Sequence, residues 1–208
     1  MSSLGEIRSI FWDIGGVLLT NGWDRNQRAR VLGGLGVDPA DYESRHDAAN
    51  YRWERGLSTA EDFFRETVFT EPRSFTFAEL WPKVCGESKV LHQECFDILG
   101  ALAADERFHV ATLNNESREL NDYRLQTFQL RGYFNYFICS GYVHEMKPNP
   151  GIYRSAIDIS GYAPERALFI DDKPENCEAA ISLGMQAIWF QSPLQLRQEL
   201  AQRGIKDI

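Results

Sequence analysis

The sequence predicts an α/β protein: a doubly wound, mostly parallel sheet with helices on both faces and a helical cap inserted after the first strand. Three observations predict it. Short apolar runs, often β-branched, alternate with longer segments that read as helices. Those runs carry few charges, as strands covered on both faces do. One stretch, 20–91, breaks the alternation with helical patterns and no convincing central strand.

The first strand is expected at 7–12, followed by helical patterns at 23–32, 39–49, 59–69 and 75–84. A helix at 94–104 then leads to a strand at 109–113, and a helix at 117–130 leads to a strand at 136–139. Helices at 150–160 and 174–183 precede strands at 167–170 and 186–190, and a helix at 193–203 follows. Pro150, Pro174 and Pro193 fall at or near helix starts, where a missing N–H costs little. Leu183-Gly184 ends a helix in the usual way, with glycine just past the last turn. An insertion directly after the first strand would sit above the carboxyl ends of the sheet, which form the ligand crevice of open α/β folds. The alternative is an extra helical layer packed elsewhere. No internal repeat or low-complexity segment is present.

A chain of 208 residues suffices for one α/β domain with a modest insertion. With 43% hydrophobic and 25% charged residues it has the balance of an ordinary globular protein. A formal net charge of −8 argues against nucleic-acid and anionic-membrane partners. If such a protein binds phosphate, it must gather positive charge locally from a metal, a lysine or helix N-termini. Cys85, Cys95, Cys139 and Cys177 are scattered, without a Cys-x-x-Cys pair, and read as reduced, buried thiols. The start, Met-Ser-Ser-Leu-Gly-Glu, lacks the basic and apolar regions of a signal peptide. No apolar stretch approaches the roughly 20 residues that span a bilayer. The expected location is the cytoplasm, and the sequence carries no mark of oligomeric state.

Three apolar strands run into polar residues: Trp12 into Asp13, Leu113 into Asn114-Asn115, and Ile170 into Asp171-Asp172. In a doubly wound sheet these tips converge. A single aspartate there is commonly a turn or cap residue. Adjacent carboxylates at the edge of a buried strand instead repel one another unless a cation lies between them. Hard oxygen donors, with no competing His/Cys cluster, imply magnesium rather than zinc. Gly15-Gly16 after Asp13 would let the backbone turn tightly and present N–H groups to an anion. Lys147 lies in a constrained Lys-Pro-Asn-Pro turn before a helix. It is either a surface lysine or, if the turn reaches the crevice, a counter-charge for phosphate or for Asp13.

In this order the four elements resemble the motifs of the haloacid dehalogenase (HAD) superfamily, which consists mostly of phosphatases. Phe11-Trp12-Asp13-Ile14-Gly15-Gly16-Val17 is similar to its first motif, and the Leu113-Asn114-Asn115 region to its second. The segment from Lys147 to Tyr153 is similar to its third, and that from Phe169 to Asn176 to its fourth. The resemblance covers the whole chain. It implies a Rossmann-like core at 1–19 and 92–208 and a helical cap at 20–91. The chain looks most like small bacterial sugar-phosphate phosphatases of the helical-cap subgroup, to which Trp53-Glu54-Arg55-Gly56-Leu57-Ser58 also conforms.

The resemblance further implies a two-step hydrolysis of a small phosphorylated metabolite, with Asp13 as the nucleophile that becomes an aspartyl-phosphate. Mg2+ would be held by Asp13, the Gly15 carbonyl and Asp172, with Asp171 beside it. Asn114, Asn115 and Gly16 would bind the phosphoryl group, and Lys147 would offset its charge. Two departures stand out. Most phosphatases of the superfamily carry a general-acid aspartate two residues after the nucleophile, where this chain has Gly15. A lost acid or base typically costs about 10²- to 10⁴-fold, and Glu54 and His46 of the cap are the candidate substitutes. The second is Asn114, where Ser or Thr is usual. Two other readings therefore stand beside the phosphatase: a catalytically impaired protein that binds phosphometabolites or partners, and a metal-independent 2-haloacid dehalogenase. The latter would have little use for Asp171-Asp172.

Overall fold

A computed structural model describes residues 5–206. The first four residues, on which the reading of the N-terminus depends, and residues 207–208 lie outside the described residues. Five strands, β1 (Ser9–Trp12), β2 (His109–Asn114), β3 (Tyr136–Cys139), β4 (Ala167–Asp171) and β5 (Gln186–Trp189), pair in parallel in the order β3-β2-β1-β4-β5. The order reverses at β1, between β2 and β4. A reversal of this kind opens a crevice at the carboxyl ends of the strands. Trp12 pairs with Thr112 on one side and Ile170 on the other, so the residues that follow these strands emerge at one level.

Alternation along β1 divides the core. Ile10 and Trp12 face one cluster, filled by Leu99 and Leu102 of α5 (Gln93–Ala104) and by Leu125 of α6 (Arg118–Thr127). Leu196 and Leu200 of α10 (Pro193–Gln202) complete that layer. Phe11 faces the other side, where Tyr153 of α8 (Pro150–Ser160) and Ala180 of α9 (Pro174–Ser182) pack with Phe169. The expected strands and core helices are present, with ends displaced by a few residues. A short α7 (Ser140–Val143) follows β3 directly, in a stretch too brief for a helical period to show in the sequence.

Four helices fill the interruption: α1 (Arg25–Gly33), α2 (Pro39–Trp53), α3 (Ala60–Thr67) and α4 (Phe77–Cys85). Capping boxes at Asp24, Thr59 and Thr76 start three of them. They share an apolar cluster separate from the two on the sheet, in which Trp53 stacks on Phe63 with centroids 4.4 Å apart. Helix α2 continues past the expected residue 49 because Tyr42, His46, Ala49 and Trp53 keep helical spacing on its buried face. The segment leaves and returns side by side: Thr20 N–H donates to the Lys89 carbonyl at 2.9 Å, and Leu91 N–H to the Leu18 carbonyl at 2.9 Å.

Its far end meets the carboxyl end of the sheet rather than a remote face. Glu119, in the first turn of α6, accepts from Trp53 Nε1 at 3.2 Å and from Ala60 N–H at 3.0 Å. Ser140 Oγ, just beyond β3, donates to the Glu54 carbonyl at 2.6 Å. No helix among the described residues is long and apolar enough to cross a membrane, and all four cysteines are buried and unpaired.

Candidate active site

Asp13 extends β1 by one residue, its N–H donating to the Ile170 carbonyl at 2.9 Å. One carboxylate oxygen is held: Oδ1 accepts from Ile14 N–H at 2.9 Å and lies 3.1 Å from Lys147 Nζ. The other, Oδ2, has no donor among the described residues, and Asp13 keeps 7% of its surface exposed. Lys147 is buried, with Nζ 2.6 Å from Asp171 Oδ2 and 5.2 Å from the Phe169 ring centre. It lies in the crevice, not at the surface.

Asp171 is fully enclosed. Beyond the Lys147 contact, its oxygens accept from Asn176 Nδ2 at 3.0 and 3.1 Å and from Lys173 N–H at 2.8 Å. Both are therefore committed to protein donors. Asp172 differs: its Oδ1 is buried without any partner. Gly16, at φ 76°, brings the first loop against this carboxylate so closely that a Cβ there would lie 2.2 Å from Asp172 Oδ2. Glycine is required on both counts.

The turn bearing Lys147 is held by Asn115. Its Oδ1 accepts from Lys147 N–H at 2.8 Å, and its Nδ2 donates to the Lys147 carbonyl at 2.9 Å. The side chain thus grips the lysine's main chain with one N–H and its carbonyl oxygen, leaving its second N–H uncommitted. Asn114 is buried and turned sideways, donating to Asn121 Oδ1 at 3.0 Å. These two side chains stand apart from the Asp13–Lys147–Asp171 contacts, whereas Asp13, Gly16, Lys147, Asp171 and Asp172 come together.

Electrostatics follow from enclosure. Burial pushes the Asp13 carboxyl up to about 7; Lys147 opposes this, while Asp171 and Asp172 reinforce it. Burial would lower the Lys147 ammonium, but Asp13 and Asp171 outweigh it and raise the group. Asp172 is raised by burial and by the Asp171 charge, against Lys173 and Lys147. Oxygens of Asp13, Asp171 and Asp172 all lie within 4.8 Å of one another. Three carboxylates around one lysine leave a deficit of positive charge. The unpartnered Asp172 oxygen and the open Asp13 oxygen give a hard cation the donors it prefers. The residues present fit a divalent ion such as magnesium.

Sequence reasoning missed a neighbouring pair. Arg124 of α6 is buried, with Nη1 3.2 Å from Glu116 Oε2, Nε donating to Ser88 Oγ at 3.0 Å and Nη2 to the Thr20 carbonyl at 3.1 Å. It thus grips both chain crossings of the helical segment. An arginine in register with the buried Leu120 and Leu125 was the signal available in the sequence. Glu116, a lone acid in a turn, left none. Burial pushes its carboxyl up to about 7, against the pull of Arg124 and with a further push from Glu54.

Beside this pair opens a polar cavity of about 340 Å³, lined by Asn21, Asn50, Glu54, Asn115, Glu116 and Lys173 among others. His46 is elsewhere, inside the apolar cluster of the helical segment between Tyr42 and Phe63.

The model for haloacid dehalogenase-like hydrolases matches residues 7–184. Flavin mononucleotide hydrolase 1 of Arabidopsis thaliana chloroplasts is 29% identical over 164 residues, covering 78% of this chain and 65% of that protein. Phosphoglycolate phosphatase of Aquifex aeolicus is 31% identical over 85 residues, 39% of this chain and 40% of that one. The chain thus spans less than two thirds of these curated relatives. Among solved structures, a HAD family enzyme of Bacteroides thetaiotaomicron in complex with magnesium and inorganic phosphate superposes with a TM-score of 0.77. It is 22% identical, with 89% of this chain and 94% of that one covered. A predicted HAD-like hydrolase of Porphyromonas gingivalis gives 0.75 at 25% identity, covering 95% and 98%.

Proposed function

We propose that this chain, which belongs to the haloacid dehalogenase-like hydrolases, hydrolyses a small phosphate monoester in a magnesium-dependent reaction, with Asp13 as nucleophile. The observation that carries the reading is the asymmetry of Asp13: Oδ1 is held by Ile14 N–H and Lys147, while Oδ2 is open. A fixed carboxylate with one free oxygen is positioned for in-line attack on phosphorus. Attack forms an aspartyl-phosphate on Asp13 and expels the alcohol oxygen, and water then cleaves the acyl phosphate. Lys147 draws Asp13 toward its ionised form and balances charge on the phosphoryl oxygens. Asp171 and Asn115 hold Lys147 in place from its side chain and its main chain. Magnesium, held by Asp13, Asp172 and the Gly15 carbonyl with Asp171 adjacent, would supply positive charge against the phosphate.

Residues 20–91 act in this proposal as the cap. The polar cavity beneath them, with hydrogen-bonding groups from Asn21, Asn50 and Glu54, suits a hydroxylated leaving group, hence a sugar phosphate. Four unpaired, buried cysteines accord with a reducing, cytoplasmic setting.

The test is turnover of a panel of sugar phosphates, acyl phosphates, flavin mononucleotide and phosphoglycolate, with and without magnesium, by wild type and Asp13→Asn. Magnesium-dependent release of phosphate that falls by about 10⁴-fold or more in Asp13→Asn is expected. No turnover on any substrate would favour an impaired, ligand-binding protein. Metal-independent halide release from 2-haloacids would favour a dehalogenase.

A further inference from the structure

The first loop has no group to move a proton at Gly15. A Cβ built there would lie 3.0 Å from Asn21 Oδ1 and 3.9 Å from Arg124 Nη1, so that space already belongs to other side chains. A proton donor for the leaving group must come from across the cavity. Three carboxylates line it: Asp24, Glu54 and Glu116. Asp24 is taken up as the N-cap of α1, accepting from Gln27 N–H at 2.9 Å. Both oxygens of Glu116 are engaged, Oε1 by Ser117 N–H at 2.9 Å and Oε2 by Arg124 at 3.2 Å. Glu54 and Asp24 each keep one oxygen without a donor among the described residues, but Asp24 is spent on its own helix start. Glu54 Oε1 instead accepts from Asn50 Nδ2 at 2.9 Å and leaves Oε2 to the cavity.

The backbone of Glu54 is fixed from both sides of the crevice. Its N–H donates to the Asn50 carbonyl at 2.8 Å within the helical segment, and its carbonyl accepts from Ser140 Oγ at 2.6 Å beyond β3. Gly56, two residues on, sits so close to the Gly141 carbonyl that a Cβ would lie 2.2 Å from it. These ties fix the carboxyl relative to the sheet side of the crevice, as a proton-transfer group requires.

We infer that Glu54 is the general acid and base of the reaction, replacing the aspartate absent at Gly15. The inference rests on the phosphomonoesterase reading above. As Asp13 attacks phosphorus and the bond to the leaving oxygen breaks, that oxygen takes the proton of the Glu54 carboxyl. This leaves an alcohol, an aspartyl-phosphate and a Glu54 carboxylate. Water then attacks phosphorus and gives its proton to Glu54, and the bond from phosphorus to Asp13 breaks. Inorganic phosphate, free Asp13 and protonated Glu54 result. Burial raises the Glu54 carboxyl and favours the protonated form the first step requires. The titratable and charged groups that act on it are Lys173, Arg28 and, from within the apolar cluster, His46, which oppose that shift, and Glu116, which couples to it as a like charge.

The test compares wild type, Glu54→Gln and Glu54→Asp with magnesium on phenyl phosphate and 2,4-dinitrophenyl phosphate. Glutamine keeps the acceptor for Asn50, and unchanged thermal unfolding would verify that its fold is intact. Expected for Glu54→Gln is a loss of about 100-fold in kcat/KM on phenyl phosphate, whose leaving group needs the proton. On 2,4-dinitrophenyl phosphate the first-turnover burst should change less than about 3-fold while steady turnover slows, since dephosphorylation still lacks its base. The alkaline limb of the kcat/KM profile on phenyl phosphate should vanish in Glu54→Gln and persist in Glu54→Asp. Equal losses on both substrates, no loss, or an unchanged alkaline limb would overturn the role of Glu54 and leave the phosphatase reading standing. A wild type that hydrolyses neither ester with magnesium would overturn both.

Discussion

On the sheet side of the crevice, Lys147 contacts Asp13 and Asp171 at 2.6 to 3.1 Å, and Asn176 and Lys173 occupy the remaining acceptor sites of Asp171. On the side of the helical segment, Glu54 has one side-chain donor and faces a cavity of about 340 Å³. The floor is charged and enclosed, with Asp13 Oδ2 and Asp172 Oδ1 as its open oxygens. The roof is held together by aromatic packing, with Trp53, Phe63 and Phe64 at its centre, and offers the cavity polar groups such as Asn50 and Glu54 along its lower edge. A preorganised floor suits a step that is the same for every phosphate monoester. In the proposed reaction, a roof stabilised by its own apolar cluster would let edge residues, and with them the leaving group, change without disturbing Asp13.

The sharpest way to break this contrast is Lys147→Met. Removing the cation leaves Asp13 and Asp171 buried together without a partner, which should cost about 3–5 kcal/mol in urea unfolding and abolish turnover. A cost below about 1 kcal/mol would mean that water already solvates the floor and that the two sides do not differ in enclosure.

A second prediction concerns Glu116, at the boundary between the two sides. Burial raises its carboxyl from 4.5 to about 7, so the folded protein holds a proton at intermediate pH that the unfolded chain has released. Stability from this group is complete below about pH 4.5 and is lost as pH rises through about 7, on the order of 3 kcal/mol at most. Asp13, also raised to about 7, adds a slope of the same sign. Unfolding of the metal-free protein between pH 4.5 and 8 should therefore show falling stability, and Glu116→Gln should flatten part of that fall. An unchanged slope would place Glu116 in a solvated, fully paired state.

The smallest effect is expected from Glu119→Ala, which removes the two bonds that tie Trp53 and Ala60 to α6. A loss of about 1–3 kcal/mol is expected, with KM raised several-fold and kcat nearly kept, because the roof loosens while the floor stays intact. A fall in kcat as large as that in Lys147→Met would show that the two sides act as one unit.

Much of this architecture was legible in the residues. Strand runs such as 167–170 and helix starts at Pro150, Pro174 and Pro193 are local patterns, and local patterns survive folding. The convergence of Asp13 and Asp171-Asp172 was legible too, because parallel strands in a doubly wound sheet bring their carboxyl ends to one crevice. The residues left Lys147 between the surface and the crevice, and only the family resemblance put it at the site. Less legible was what each polar group does there. Asn115 was expected to meet the phosphoryl group, and what the sequence did not show is that its amide also grips the main chain of Lys147. His46 and Glu54 were equal candidates as proton carriers. The difference between them is that His46 falls on the buried face of α2, and Glu54 falls at the helix end, where the chain turns toward Ser140.

The sequence by itself determined the fold, the order of its elements and the set of charged residues at the strand tips, since apolar periodicity and strand-end chemistry are written in neighbouring positions. Only the tertiary structure decided which oxygens of those residues are free. Asn50 and Asn176 lie only four and five residues from the acids they contact, but Lys147 reaches Asp13 and Asp171 from a turn far along the chain. The surroundings that leave Asp13 Oδ2, Asp172 Oδ1 and Glu54 Oε2 open exist only once the elements have packed.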